Sequence, residues 1–191
     1  MKKTLLLLLV TPFFFGGCGR NKNIREGEMS ETIQDFNIQT GNYVAEVIRG
    51  EFPDAENLEV ITQQEMGVMT RKDLQLILQG LQDTWGEVKV VEVEFDELVP
   101  GMGLPAELYD SVANQQGDAD LVISLVGVPM GEKQLSGSAR TTPLVALLEP
   151  MVTNEVLNDR TVLPGRWLLL RRQPEVSGPP QDSFERFSST R

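Results

Sequence analysis

Between residues 31 and 172 the period of hydrophobicity switches repeatedly from that of a helix to that of a strand. Tyr43, Val44, Val47 and Ile48 form a helical stripe after a candidate cap, Thr40, and Leu58, Val60 and Ile61 form a short strand-like run. Thr70 and Asp73 have capping-box spacing, with aspartate where glutamate is usual. Leu74, Ile77, Leu78, Leu81 and Trp85 then keep helical spacing, and Gly86 supplies the stop. Val88 to Phe95 is rich in β-branched residues and bounded by turn residues, which predicts a strand; Pro105 opens a helix carrying Leu108, Tyr109 and Val112, with Gly117 near its end. The runs DLVISLVG, residues 120 to 127, and PLVALLEP, residues 143 to 150, are continuously apolar over strand length, as in strands covered on both faces. A short helix around Thr153 to Asn158 then leads to RWLLLRR, residues 166 to 172.

Strands that alternate with helices imply right-handed βαβ crossovers and a mostly parallel sheet. The expected fold class is α/β, a three-layer sandwich with about five strands, in a single domain spanning residues 31 to 172. No period of about 20 to 50 residues repeats, which excludes a solenoid. Residues 18 to 30 lack apolar periodicity and predict a flexible tether, and residues 173 to 191, rich in proline, serine and glycine, predict a mobile C-terminal tail that carries Phe184 and Phe187. The order of elements resembles one lobe of a type I periplasmic binding protein, with ADLVISLVGVP and PLVALLEP as successive core strands. In that family two lobes close on a ligand, and the resemblance implies solute capture for a transporter; this chain has length for one lobe.

The chain opens with Met1, Lys2 and Lys3, runs almost without polarity from Leu5 to Phe15, and reaches Gly16 and Gly17, the three-part form of an export signal. The run is shorter than the roughly 20 apolar residues that a membrane-spanning helix needs. Phe15, Gly16, Gly17 and Cys18 resemble the lipobox of bacterial lipoproteins, with Phe15 where an aliphatic residue is usual. The resemblance implies that residues 1 to 17 are a signal peptide and that Cys18 is acylated, with palmitate among its chains, and becomes the mature amino terminus. Multiple acyl chains, at about 0.8 kcal/mol per buried methylene, hold a protein on a membrane durably. Gly19 in place of aspartate implies, in a Gram-negative host, sorting to the outer membrane with the domain facing the periplasm. The alternative is an ordinary secretory peptide cleaved elsewhere, with Cys18 an incidental thiol.

Losing Lys2 and Lys3 with the signal takes the basic residues from 17 to 15 against 28 acidic ones, a formal net charge of −13 on 174 residues. Such a surface repels phosphate backbones, so nucleic acid is not an expected partner. The chain has no histidine, and its single cysteine is the expected lipidation site, which removes the usual general base, the commonest metal ligand and thiolate chemistry together. Any enzyme here would work with carboxylates, lysine, tyrosine or a serine–lysine pair.

In open α/β sheets, ligands bind beyond the carboxyl ends of the strands, where EFDELVPGMGLP, GVPMGEKQLSGSARTTP and EPMVTN are expected to converge. The second segment concentrates Lys133, Ser136, Ser138, Arg140, Thr141 and Thr142, donors suited to a carboxylate, a phosphate or sugar hydroxyls. A solvated surface loop would have the same composition. The GMG at 101 to 103 does not extend to a dinucleotide fingerprint, and no cofactor or metal is expected. Glu92, Glu94 and Asp96 alternate with Val91, Val93 and Phe95, as on a strand with one wet face, while Asp118 and Asp120 suit a turn and a strand entry. The expected function is a membrane-tethered, non-enzymatic envelope lipoprotein that binds a small polar ligand or a partner protein. The alternatives are a carboxylate-based hydrolase acting on envelope glycans or other polar substrates, and a structural scaffold. Composition leaves the oligomeric state open.

Overall fold

The computed structural model describes residues 31–64, 72–94, 98, 103–115, 119–132, 134–150, 152–154, 157, 161–173 and 178–189. Six strands form the main sheet: β1 (Leu58–Gln63), β2 (Lys89–Val93), β4 (Leu121–Ser124), β6 (Leu144–Leu148), β7 (Trp167–Arg172) and β8 (Phe184–Ser188). Their order is β2-β1-β4-β6-β7-β8, parallel throughout except for the last pair. Strands β1, β4 and β6 are buried at every position; β6, LVALL, accordingly reads as an unbroken apolar run rather than an alternation, whereas β1, LEVITQ, carries polar residues into the interior. The α/β class and the mostly parallel sheet flanked by helices are as the sequence predicts, with six strands in place of about five.

Helices α1 (Glu31–Glu51) and α2 (Lys72–Trp85) cover one face, where Val44, Ile48, Ile77 and Leu81 pack on Val60, Ile123, Val145 and Leu170. The other face is covered by α3 (Ala106–Gln115) with a small parallel pair, β3 (Gly103–Pro105) and β5 (Val128–Met130). There Tyr109, Val112, Leu104 and Val128 meet Ile61, Val122, Ala146 and Leu169. Arginines close the ends of the first layer. Arg49 donates to the Thr84 carbonyl at 2.6 Å and covers the Trp85 ring at 5.4 Å, so a cation sits at the negative end of α2. Arg166 does the same for α1, donating to the Glu51 carbonyl and covering Phe52 at 4.3 Å.

Three local expectations change. Thr40 is not a cap: α1 begins nine residues earlier, at Glu31, and the Thr40 hydroxyl bonds back to the Phe36 carbonyl at 2.9 Å. The first turns of α1 have little apolar periodicity because their contact with α2 is made partly by polar and small residues, Asn37, Thr40 and Gly41, all buried. The segment from Val128 to Pro143, read in the sequence as a loop of polar donors, contains β5 and a 3-10 turn, Gly137–Arg140.

The C-terminal segment, expected to be mobile, instead forms a one-turn helix, Pro180–Ser183, and the edge strand β8. Side chains alternate along a strand, so a spacing of three sends Phe184 and Phe187 to opposite faces. Phe184 stacks on Tyr43 of α1 at 5.9 Å, and Phe187 lies beneath the Arg171 guanidinium at 4.8 Å on the α3 side. Arg186 adds a 2.9 Å hydrogen bond to the Tyr43 hydroxyl. The signal peptide, Cys18, the tether and half of the expected helix at Thr153 to Asn158 lie outside the described residues.

Candidate functional site

From β1 the chain crosses by α2 to β2 on one side, and it then returns by β3 and α3 to β4 on the other. The strand order therefore reverses between β1 and β4, and the carboxyl ends of strands at such a reversal are the usual ligand position in this class of sheet. Register places Ser124 beside Ile61, and Gln63 one side-chain step further along the same face, toward α3. The backbone at this edge is satisfied: Leu125 donates to the Ile61 carbonyl at 2.9 Å and Gln64 to the Val93 carbonyl at 2.8 Å. The side chains are not. The Ser124 hydroxyl and the Gln63 amide nitrogen are buried with no hydrogen-bond partner among the described residues, and the residues are 0% and 7% exposed. Buried polar groups are otherwise paired almost without exception, so each calls for an explanation.

The same face carries two more such groups, deeper in. Both carboxyl oxygens of Glu59 and the hydroxyl of Tyr109 are buried and, among the described residues, unpartnered. Burial pushes the Glu59 carboxyl above the usual carboxylate range, opposed by the charge of Lys89 beside it on β2. Burial likewise raises the Tyr109 phenol, and the charge of Glu59 raises it further. Glu59, Gln63, Ser124 and Tyr109 did not stand out in the sequence. The available signal was polar residues set inside the strand runs LEVITQ and LVIS, where water cannot reach them.

The donors expected at this edge are elsewhere. Ser136, Ser138, Arg140 and Thr141 are brought together, but on the C-terminal half of α3, next to the amino ends of β6 and β7, where the Arg140 carbonyl accepts from Gly165 at 2.9 Å. After β5 the chain must run back along α3 to enter β6 in parallel, and this takes the loop to the opposite edge of the sheet. There it is fastened. Asp110 accepts from the Ser136 amide at 2.5 Å and the Ser136 hydroxyl at 2.7 Å, while Asn114 accepts from the Ser138 amide at 2.7 Å and donates to the Ser136 carbonyl at 3.1 Å. The Thr141 hydroxyl donates to the Ser138 carbonyl at 3.2 Å. The Arg140 side chain is exposed, and Lys133 lies outside the described residues.

Among the acids, Glu92 and Glu94 are exposed on the edge strand and beyond it, as a wet face requires. Asp120 enters β4 and accepts from the amides of Asn57 and Glu56, which hold its carboxyl below the usual range. Asp96, Asp118 and the GMG residues Gly101 and Met102 lie outside the described residues. Among the described residues no group of three histidines, cysteines or acids is placed to hold a metal, and no helix is long and apolar enough to cross a membrane.

No family model matches the sequence, and no curated protein matches it. Among solved structures, the chain is similar to a LacI-type transcriptional regulator from Bacteroides fragilis, at 12% identity and a TM-score of 0.44, over 73% of this chain and 48% of that one. The chain thus spans about half the length of that structure.

Proposed function

We propose that this chain is a lipid-anchored envelope protein whose α/β domain binds a small polar ligand between the carboxyl ends of β1 and β4, without transforming it. The observation that carries the reading is the pair of polar groups on Gln63 and Ser124, unpartnered among the described residues and one side-chain step apart on one face where strand order reverses. An amide donor and a hydroxyl suit a ligand rich in carbonyl, carboxylate or hydroxyl oxygens. The anchor rests on the lipobox resemblance at Phe15 to Cys18. A two-carboxylate hydrolase has less support, since Glu59 is the one buried acid among the described residues. A pure scaffold leaves Gln63 and Ser124 without a purpose.

Native mass spectrometry of the protein purified without denaturation tests the binding reading. The expected result is a bound small molecule that is retained by wild type and lost from Gln63→Leu and Ser124→Ala. Wild type carrying no ligand, together with variants at least as stable as wild type, would mean that the two groups serve packing alone. The anchor is tested separately with radiolabelled palmitate, which should enter wild type and not Cys18→Ser; equal labelling of both would remove Cys18 as the lipid site.

A further inference from the structure

Glu59 is 1% exposed, in the second position of a strand that is buried along its whole length. Its register neighbours are Lys89 on β2 and Val122 on β4, and α3 lies over it with Tyr109, which is 0% exposed. Among the described residues neither carboxyl oxygen meets a donor, and the Tyr109 hydroxyl meets no acceptor. A carboxylate stripped of water and given no hydrogen bond is strongly disfavoured, and a buried acid in that position takes up a proton instead. The formal cation beside it among the described residues, Lys89, is itself exposed on the edge strand, where solvent screens it.

We infer that Glu59 is held beneath α3 as the neutral acid, and that its ionisation is a pH-operated release of the layer formed by α3, β3 and β5. The charged and titratable groups around it are few. Lys89 on β2 favours the ionised form and opposes the device; Tyr109 on α3 stays neutral because its own phenol is raised. The other acids of α3 stand apart from it: Glu107 is exposed, and Asp110 is bound to Ser136. Because Asp110 and Asn114 on α3 hold the segment from Ser136 to Ser138, release of α3 reaches that segment as well.

The direction in pH follows from the raised carboxyl. Its stabilising contribution is complete below the ordinary glutamate value of 4.5 and is lost as pH rises toward and through the folded-state value. Across that window the ratio of released to seated α3 grows about tenfold per pH unit, one proton being given up on release. The device needs no ligand and stands apart from the reading of Gln63 and Ser124.

Two measurements on the full chain test it. Infrared difference spectra recorded upward from the ordinary glutamate value of 4.5 should contain, at the low end, a protonated-carboxyl band that is absent from Glu59→Gln and fades as pH rises. Hydrogen exchange of residues 106 to 115, corrected for intrinsic rates, should show opening that grows about tenfold per pH unit in wild type and stays flat in Glu59→Gln. Absence of the band, or the same pH slope in both proteins, overturns the inference. Should Glu59→Gln fail to fold, Glu59→Met takes its place, with the same expected loss of the band and of the pH slope; persistence of either overturns the inference.

Discussion

The backbone of Gly41 lies so close to the carbonyl of Ile77 that a β-carbon added to the glycine would stand 2.0 Å from the carbonyl oxygen. The contact is reciprocal, since a β-carbon on Gly80 would stand 2.0 Å from the carbonyl of Ile38. Helices α1 and α2 therefore cross backbone to backbone, with Thr84 donating to Asn42 at 2.9 Å along the same seam.

Gly41→Ala should destabilise the protein by about 1 to 3 kcal/mol, because the obstructing atoms are main chain and cannot swing aside. The gain in helix propensity of up to about 1 kcal/mol offsets part of this. Gly50, on the same helix, has open space where its β-carbon would stand. Gly50→Ala should therefore stabilise by about 0.5 to 1 kcal/mol. Urea denaturation of the two variants checks the opposite signs.

Phe184→Ala should cost about 3 kcal/mol, in the range for a buried aromatic lost from a core. It removes the stacking on Tyr43 and uncovers the end of the first layer beside Leu168 and Leu170. Removing residues 178 to 191 should be at least as harmful. If thermal melts were unchanged by both, the C-terminal segment would not belong to the folded unit.

Asp110→Ala should cost about 1 to 3 kcal/mol, since it strips the Ser136 amide and hydroxyl of their acceptor. Arg140→Ala, whose side chain is exposed, should stay within about 0.5 kcal/mol of wild type. Any ligand retained through Gln63 and Ser124 should bind Arg140→Ala with unchanged affinity, because Arg140 lies at the other edge of the sheet. Calorimetric titration of that ligand into both proteins is the check.

Asp120 gives an acid-side pH dependence. Its carboxyl is held below its ordinary value of 3.8, first by the amide of Asn57 and next by that of Glu56. Its contribution is therefore present above that value and is lost as pH falls through the folded-state value. Denaturation midpoints of wild type and Asp120→Ala should differ at neutral pH and converge in acid.

The residues by themselves determined the class of the fold. Unbroken apolar runs such as LVIS and LVALL report strands covered on both faces, and the helical spacing from Leu74 to Trp85, ended by Gly86 at a φ of +110°, reports α2, because local periodicity and glycine's freedom at positive φ are properties of the chain itself. The charge, the missing histidine and the segment around Cys18 likewise bound the chemistry without reference to any fold. Tertiary structure decided the rest. Phe184 and Phe187 read as tail residues until β7 offers an edge to pair with, and Ser136 and Arg140 read as site residues until the parallel entry into β6 carries them to the amino edge. Glu59, Gln63, Ser124 and Tyr109 carry ordinary polar groups in the sequence. They become exceptional when the layers close over them, because the cost of an unpartnered polar atom comes from the water it has lost, and that loss is fixed by packing between distant segments.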